Sequence, residues 1–267
     1  MIKSSYPERT GKHFICYCNR QTPHTSEWNI GQAVFRHVGN ILDLSQEQLS
    51  AEAHLSGASI SRFFRKCGFA TFQDFKRQME RFLSQRNLNR SRSLLAAHHG
   101  RSDSEISRQL YEDAAANLQA TIDSLDLDLM RQVVRLLVQS RTIYFVGDTR
   151  DMYSFYSLQL DLMCNGRAAY FYNIDEVSPH ALPSIDQHTL LLILSVHPFW
   201  YNEEMTILCR AARKERAVTV LFCQGEPYPE VKADLCCPFG QADSKNNGYY
   251  SMPLLAHLLS APFYRAL

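Results

Sequence analysis

The chain has 267 residues, 45% of them hydrophobic, which is enough for one large domain or two ordinary ones. Its formal net charge is only +1, but residues 1–100 carry 14 Lys and Arg against 7 Asp and Glu, whereas residues 101–267 carry 14 against 20. A basic part joined to an acidic part suggests a polyanion-binding module attached to something else. No apolar run reaches the ~18 residues of a membrane span, and the opening "MIKSSYPERTGKHF" has no apolar core of a signal peptide. The eight cysteines form no disulfide framework. A cytoplasmic protein with reduced, core-packed thiols is expected.

Residues 1–26 are polar, contain Pro7 and Pro23, and read as an N-terminal arm. Within it, His13, Cys16, Cys18 and His24 do not make a zinc site, because C-x-C is tight for two ligands on one ion. Helical patterns fill residues 27–85. Ile30, Val34, Val38 and Ile41 recur at near-helical spacing. Ser45 and Gln48 form a capping-box pair before Leu49 and Ala53. A break at residues 54–57 precedes "ASISRFFRKC", whose apolar stripe is Ile60, Phe63, Phe64 and Cys67, with Gly68 where a helix C-cap belongs. A further helix begins near Thr71 and buries Phe72, Phe75, Met79 and Phe82.

Residues 86–104 are rich in Ser, Asn and Arg and read as a linker. From Glu105 two amphipathic helical stretches run to Ser140. After them come short runs rich in β-branched and aromatic residues: "TIYFVG", "RAAYFYN", "TLLLILS", "AVTVLFC" and "DLCCPF". Helical stretches alternate with the first four, and a helix over residues 249–264, interrupted by Pro253 and Pro262, closes the chain. Strands alternating with helices predict a parallel sheet covered on both faces over residues 105–267. The fold class is α/β with an all-α N-terminal domain.

The two short helices around residues 54–57 fit helix-turn-helix geometry, in which the second helix enters the major groove of duplex DNA. The residues at its start, Ser56, Ala58, Ser59, Ser61 and Arg62, then reach base edges. Arg65, Lys66, Lys76 and Arg77 flank them as phosphate contacts. A helical bundle used for protein contacts is the alternative that pattern alone leaves open.

The string "LSAEAHLSGASISRFFRKCGFATFQDFKRQM" resembles the N-terminal domain of RpiR-type transcriptional regulators. The likeness rests on Leu49 and Ala53, on "LSGASISRFFRKCGF", and on the Phe-rich "FQDFK" helix. It departs at Ser59, usually Thr in the family, and at His54, where the turn usually carries Gly. His tolerates a left-handed backbone better than a β-branched residue, so the turn should survive. The resemblance implies a SIS (sugar isomerase) domain after the linker: a parallel sheet flanked by helices that in many members binds a phosphorylated sugar. "PYPEVKADLCCPF" is similar to a turn and strand of that domain.

Two loops bind the phosphosugar in such domains, one resembling G-x-G-x-S and the other S-x-S-G-x-T. Here the first reads "GDTRD", with Gly147 kept, Thr149 in place of the second Gly, and Asp151 in place of Ser. The second reads "SVHPFW", keeping Ser195 but carrying His197, Pro198 and Trp200. Asp148 and Asp151 would repel a dianion, although Arg150 offsets part of that. The ligand-facing residues implied are thus Gly147, Asp148, Thr149, Asp151, Ser195, His197 and Trp200. Three readings stay open: a pocket reshaped for another ligand, a vestigial pocket in a dimerisation domain, and an ordinary sugar-phosphate site.

The resemblance implies a non-enzymatic regulator without cofactor, metal or membrane attachment. Its partners are a two-fold duplex operator, a second copy or a dimer of dimers, and a sugar-phosphate or related effector. A sugar-phosphate isomerase is the enzyme alternative. It would need a base near Glu203, Glu204 or His197, but two glutamates at a helix start are simpler dipole partners. A non-DNA-binding interaction protein is the third.

Overall fold

A computed structural model of the chain describes residues 11–90, 100–173, 183–196, 203–225, 231–241 and 248–266. They divide into two units, one within residues 1–101 and the other within 102–267. In the first unit, α1 (Gly11–Asn19), α2 (Ser26–Arg36), a 3₁₀ turn (Val38–Asn40), α3 (Gln46–Ala53), α4 (Gly57–Lys66) and α5 (Phe72–Arg90) follow in order. Local chemistry sets most of these starts. The Thr25 hydroxyl accepts from the Trp28 amide, and Ser45 and Gln48 form the expected reciprocal capping box. Thr71 Oγ1 accepts from the Asp74 amide at 3.0 Å. The end of α4 is equally local: Gly68 has φ +89°, the Gly68 amide donates to Arg65, and the Phe69 amide donates to Phe64, a Schellman closure.

The polar arm expected over residues 1–26 is corrected by α1. Phe14 lies fully buried at the centre of an aromatic core, 4.7 Å from the Phe75 ring and 5.7 Å from that of Phe35. Phe63, Phe64, Phe69, Ile60, Leu49 and Met79 complete that core. Phe14, Tyr17 and Cys18 do share helical spacing, but the apolar run is short and bounded by polar residues, so only the assembled bundle shows where it goes. The helix over Ile30–Ile41 also stops early: α2 ends at Arg36, and Val38 falls in the 3₁₀ turn. The expected linker is partly helical, since α5 continues to Arg90; residues 91–99 lie outside the described residues.

In the second unit α6 (Asp103–Ser124) and α7 (Leu127–Gln139) precede β1 (Thr142–Gly147). Then come α8 (Thr149–Tyr153), α9 (Tyr156–Cys164), β2 (Ala168–Asn173), β3 (Thr189–Ser195), α10 (Glu203–Lys214), β4 (Val218–Gln224), β5 (Leu235–Phe239) and α11 (Gly248–Ala266). All five strands are parallel, in the order β2-β1-β3-β4-β5. Every residue of β3 is buried, as an unbroken apolar run in a doubly covered sheet demands. One sheet face is covered by α7, α9 and α11, the other by α10. A buried network ties α6 to α11: Asn117 Nδ2 donates to Ser251 Oγ at 2.8 Å, and the Thr121 and Ser251 hydroxyls lie 2.7 Å apart.

The helical stretch expected between the first two strands is split. Phe155 leaves helical geometry (φ −96°, ψ 11°) and is fully buried against Phe145 and Phe222, dividing α8 from α9. By contrast α11 runs on through Pro253 and Pro262, its buried face of Met252, Leu255, Leu259 and Phe263 outweighing the lost backbone bonds. Among the described residues no helix is long and apolar enough to cross a membrane.

Candidate nucleic-acid interface and the cleft at the strand ends

The α3–turn–α4 corner is built by backbone closure. His54 takes the left-handed conformation, φ 55° and ψ 41°, and the Leu55 amide donates to the Ser50 carbonyl at 3.0 Å. This is the closure Gly usually makes, reached here by a residue that tolerates it at a cost. Ser56 then caps α4, its hydroxyl accepting from the Ser59 amide at 3.3 Å. From α3, Gln46 Nε2 donates both to the Gly57 carbonyl at 2.9 Å and to Ser61 Oγ at 3.1 Å. Gln46 thereby fixes the first turn of α4 against α3.

The inner face of α4 buries Ile60, Phe63 and Phe64, which turns Ala58, Arg62 and Arg65 outward. Ser59 and Ser61 are half-buried. Arg62 donates to Ser59 Oγ at 3.2 Å, and Arg65 Nε donates to the Ser61 carbonyl at 3.3 Å, so both guanidinium groups lie along the helix surface. Among the described residues neither arginine makes an ion pair. Lys66 does: its ammonium lies 2.5 Å from Glu27 Oε1, and the Tyr17 hydroxyl donates to Glu27 Oε2 at 2.6 Å. Burial pushes the Glu27 carboxyl up, but the hydrogen bonds from Lys66 and Tyr17 outweigh it and leave a net depression. Burial, reinforced by the bond to Glu27, raises the Tyr17 phenol.

In the second unit the chain reverses at the β1 and β3 ends. β1 connects to β2 on one side, while β3 lies on the other, so their carboxyl ends flank a topological switch point, where open α/β sheets bind ligands. Gly147 ends β1 there. A Cβ on it would sit 2.7 Å from the Leu194 carbonyl oxygen of β3, so the position requires glycine for close approach. Asp148, nearly fully buried, caps α8 by accepting from the Arg150 amide at 2.6 Å and the Asp151 amide at 3.2 Å. Asp151 is also buried, and its Oδ2 accepts from the Val196 amide at 3.4 Å. Thr149 Oγ1 accepts from Asn173 Nδ2 at 2.7 Å. The Arg150 guanidinium lies over the Tyr249 ring, 3.1 Å from its centroid, and burial pushes the Tyr249 phenol up. Two backbone N–H groups that could cradle an anion are thus occupied by a carboxylate of the chain itself.

Residues 19–86 match the helix-turn-helix domain of the rpiR family. The N-terminal unit carries an rpiR-family helix-turn-helix domain. An uncharacterized HTH-type transcriptional regulator of Clostridium perfringens is 26% identical over 173 residues, covering 64% of this chain and 57% of that protein. The chain therefore spans less than two thirds of that relative's length. A putative sugar-phosphate isomerase of Listeria monocytogenes has a similar fold (TM-score 0.51, 12% identity), covering 62% of this chain and 93% of that one. A phosphoheptose isomerase of Francisella tularensis is similar to the same degree (TM-score 0.50, 12% identity), covering 61% of this chain and 99% of that one. At such identity the likeness concerns the fold alone: a five-stranded parallel sheet flanked by helices.

Within the rpiR-type domain, the structure brings Ser56, Ala58, Ser59, Ser61, Arg62, Arg65 and Lys66 together on one helix. Lys76, expected at phosphate, is a correction. It is buried in α5, with Nζ donating to the Leu42 carbonyl at 2.7 Å and the Leu44 carbonyl at 3.0 Å. Lys76 therefore closes the loop before α3. Arg77 is exposed and lies 3.9 Å from Asp74, a surface pair of little strength. Of the ligand-facing set, Gly147, Asp148, Thr149, Asp151 and Ser195 gather at the switch point, whereas His197 and Trp200 lie outside the described residues. Sequence reasoning missed Gln46, Asn173 and Tyr249. Each acts through a residue distant in sequence and carries no local motif. A cavity of about 370 Å³ beside β5, lined by Leu125, Leu129, Met130 and Cys237, contains none of the expected ligand-facing residues.

Proposed function

We propose that this protein is a dimeric, cytoplasmic, DNA-binding transcriptional regulator whose second unit pairs subunits and senses a metabolite of sugar metabolism. The observation that carries it is the solvent-facing side of α4, where Ala58, Arg62 and Arg65 stand clear of a core made by Ile60, Phe63 and Phe64, directly after a closed α3–α4 turn. Ser56, Ser59, Ser61 and Arg62 read base edges at one half-site, and Arg65 and Arg77 contact flanking phosphates. Two such units on one dimer meet a two-fold operator. A ligand that prefers one dimer geometry then changes half-site spacing and so operator affinity. The kinship of the rpiR-type domain with a transcriptional regulator supports this reading over an isomerase. The occupied donors at α8 and the two buried carboxylates favour an effector other than a dianionic sugar phosphate.

The test is selection of bound genomic fragments followed by titration with Arg62→Ala. Loss of one bidentate base contact weakens specific binding by about 1–3 kcal/mol and relaxes preference at one position. Equal binding by variant and wild type overturns the recognition-helix assignment. A thermal-shift screen tests sensing: a metabolite that stabilises the protein must also change operator affinity.

A further inference from the structure

Sequence counting treats Lys66 as one more cation on the recognition helix, but the structure shows it engaged. Its side chain is 62% exposed, yet its ammonium is held 2.5 Å from a Glu27 carboxylate oxygen. Glu27 sits in the first turn of α2, and its other oxygen is fixed by the Tyr17 hydroxyl at 2.6 Å. Three helices thus converge on one carboxylate, which cannot swing aside without breaking the bond to Tyr17. Arg62, one turn earlier, and Arg65, the preceding residue, carry no such partner among the described residues. The three cations of α4 are therefore unequal.

We infer that Glu27 withdraws Lys66 from the phosphate backbone and so lowers both the strength and the salt dependence of sequence-independent DNA binding. This rests on the DNA-binding reading above. The physical argument is counterion release: each cation engaged with phosphate adds about 0.9 to the salt slope of duplex binding. A cation neutralised by its own chain adds nothing to binding at random sites. Base readout by Ser56, Ser59 and Arg62 does not pass through it. Losing this phosphate contact weakens binding at every site by a similar amount, since phosphate carries no sequence information, and a random site, where phosphate contacts supply nearly all the affinity, shows the effect most directly.

The experiment measures binding of the full chain to a random-sequence duplex by fluorescence anisotropy between about 50 and 200 mM salt. Wild type is compared with Glu27→Gln and with the double variant Glu27→Gln/Lys66→Gln. Glu27→Gln keeps an acceptor for Tyr17 while releasing Lys66. It should bind the random duplex more tightly at low salt. Over this fourfold range it should lose roughly 3-fold more affinity than wild type for each protomer bound. The double variant should lose that gain. Any folding fault of Glu27→Gln is shared by the double variant, so a difference between them reports Lys66 alone. Parallel salt slopes for wild type and Glu27→Gln overturn the inference but leave DNA binding intact. The inference also fails if the gain persists in the double variant. If neither wild type nor Glu27→Gln is retained on duplex DNA at the low-salt end, the DNA-binding reading falls and this inference falls with it.

Discussion

Phe14→Ala tests whether residues 11–19 belong to the folded unit. The Phe14 ring has no exposed surface and meets the rings of Phe35, Phe63, Phe64 and Phe75, with centroids 5.7, 6.2, 6.4 and 4.7 Å away. Truncating a fully buried Phe to Ala costs about 3–5 kcal/mol, because transfer energy is lost and a cavity remains. With a urea slope of about 2 kcal/mol per molar, the midpoint should fall by roughly 2 M. The chain has two tryptophans, Trp28 in α2 and Trp200 in the second unit's sequence. In a Trp200→Phe background, fluorescence of Trp28 follows the first unit alone. A loss below about 0.5 kcal/mol, the size expected of a surface substitution, would mean that Phe14 is not a core residue and that the arm reading was right.

Lys76→Met, by removing two charge-assisted bonds to the Leu42 and Leu44 carbonyls, should cost about 2–4 kcal/mol in urea unfolding while leaving the salt slope of DNA binding unchanged. A slope flatter by about 1 would return Lys76 to the phosphate backbone. Gly147→Ala should lower the second unit's thermal stability by about 1–3 kcal/mol, since its Cβ meets the Leu194 carbonyl oxygen at 2.7 Å; an unchanged melting temperature would refute the close approach. The hydrogen bond from His37, aided by Arg36, holds the Glu52 carboxyl below the usual glutamate range. A carboxyl depressed by folding stabilises above its unfolded pKa, and that contribution disappears as pH falls through the folded value. Carboxyl-carbon NMR should find the Glu52 midpoint low, and His37→Gln should move it upward.

Several parts of this fold are local, and these were legible. The Ser45–Gln48 capping box, the glycine at the end of α4 and the α4 stripe of Ile60, Phe63 and Phe64 each depend on residues within a few positions of one another. The five apolar runs became five parallel strands for the same reason, because period and composition are properties of a short window. The helix carrying the candidate base-reading residues was therefore visible in sequence, down to the left-handed residue at His54.

Charge state and partner choice were not legible, because they depend on contacts between distant residues. In the sequence Arg62, Arg65, Lys66, Lys76 and Arg77 read as one basic footprint. Folding buries Lys76 against backbone carbonyls and ties Lys66 to a carboxylate 39 positions away, leaving Arg62 and Arg65 facing outward. The same holds for the cleft. "GDTRD" showed that a phosphate loop had changed, but not that Asp148 would occupy the amides of α8 or that Arg150 would lie on Tyr249, 99 positions later in number. Sequence alone determined the five strands and the candidate recognition helix, since backbone closure and periodicity act over a few residues. Tertiary structure decided which charges remain to meet a ligand, since a Coulombic or hydrogen-bonded pair forms only where the fold sets two side chains within a few ångströms.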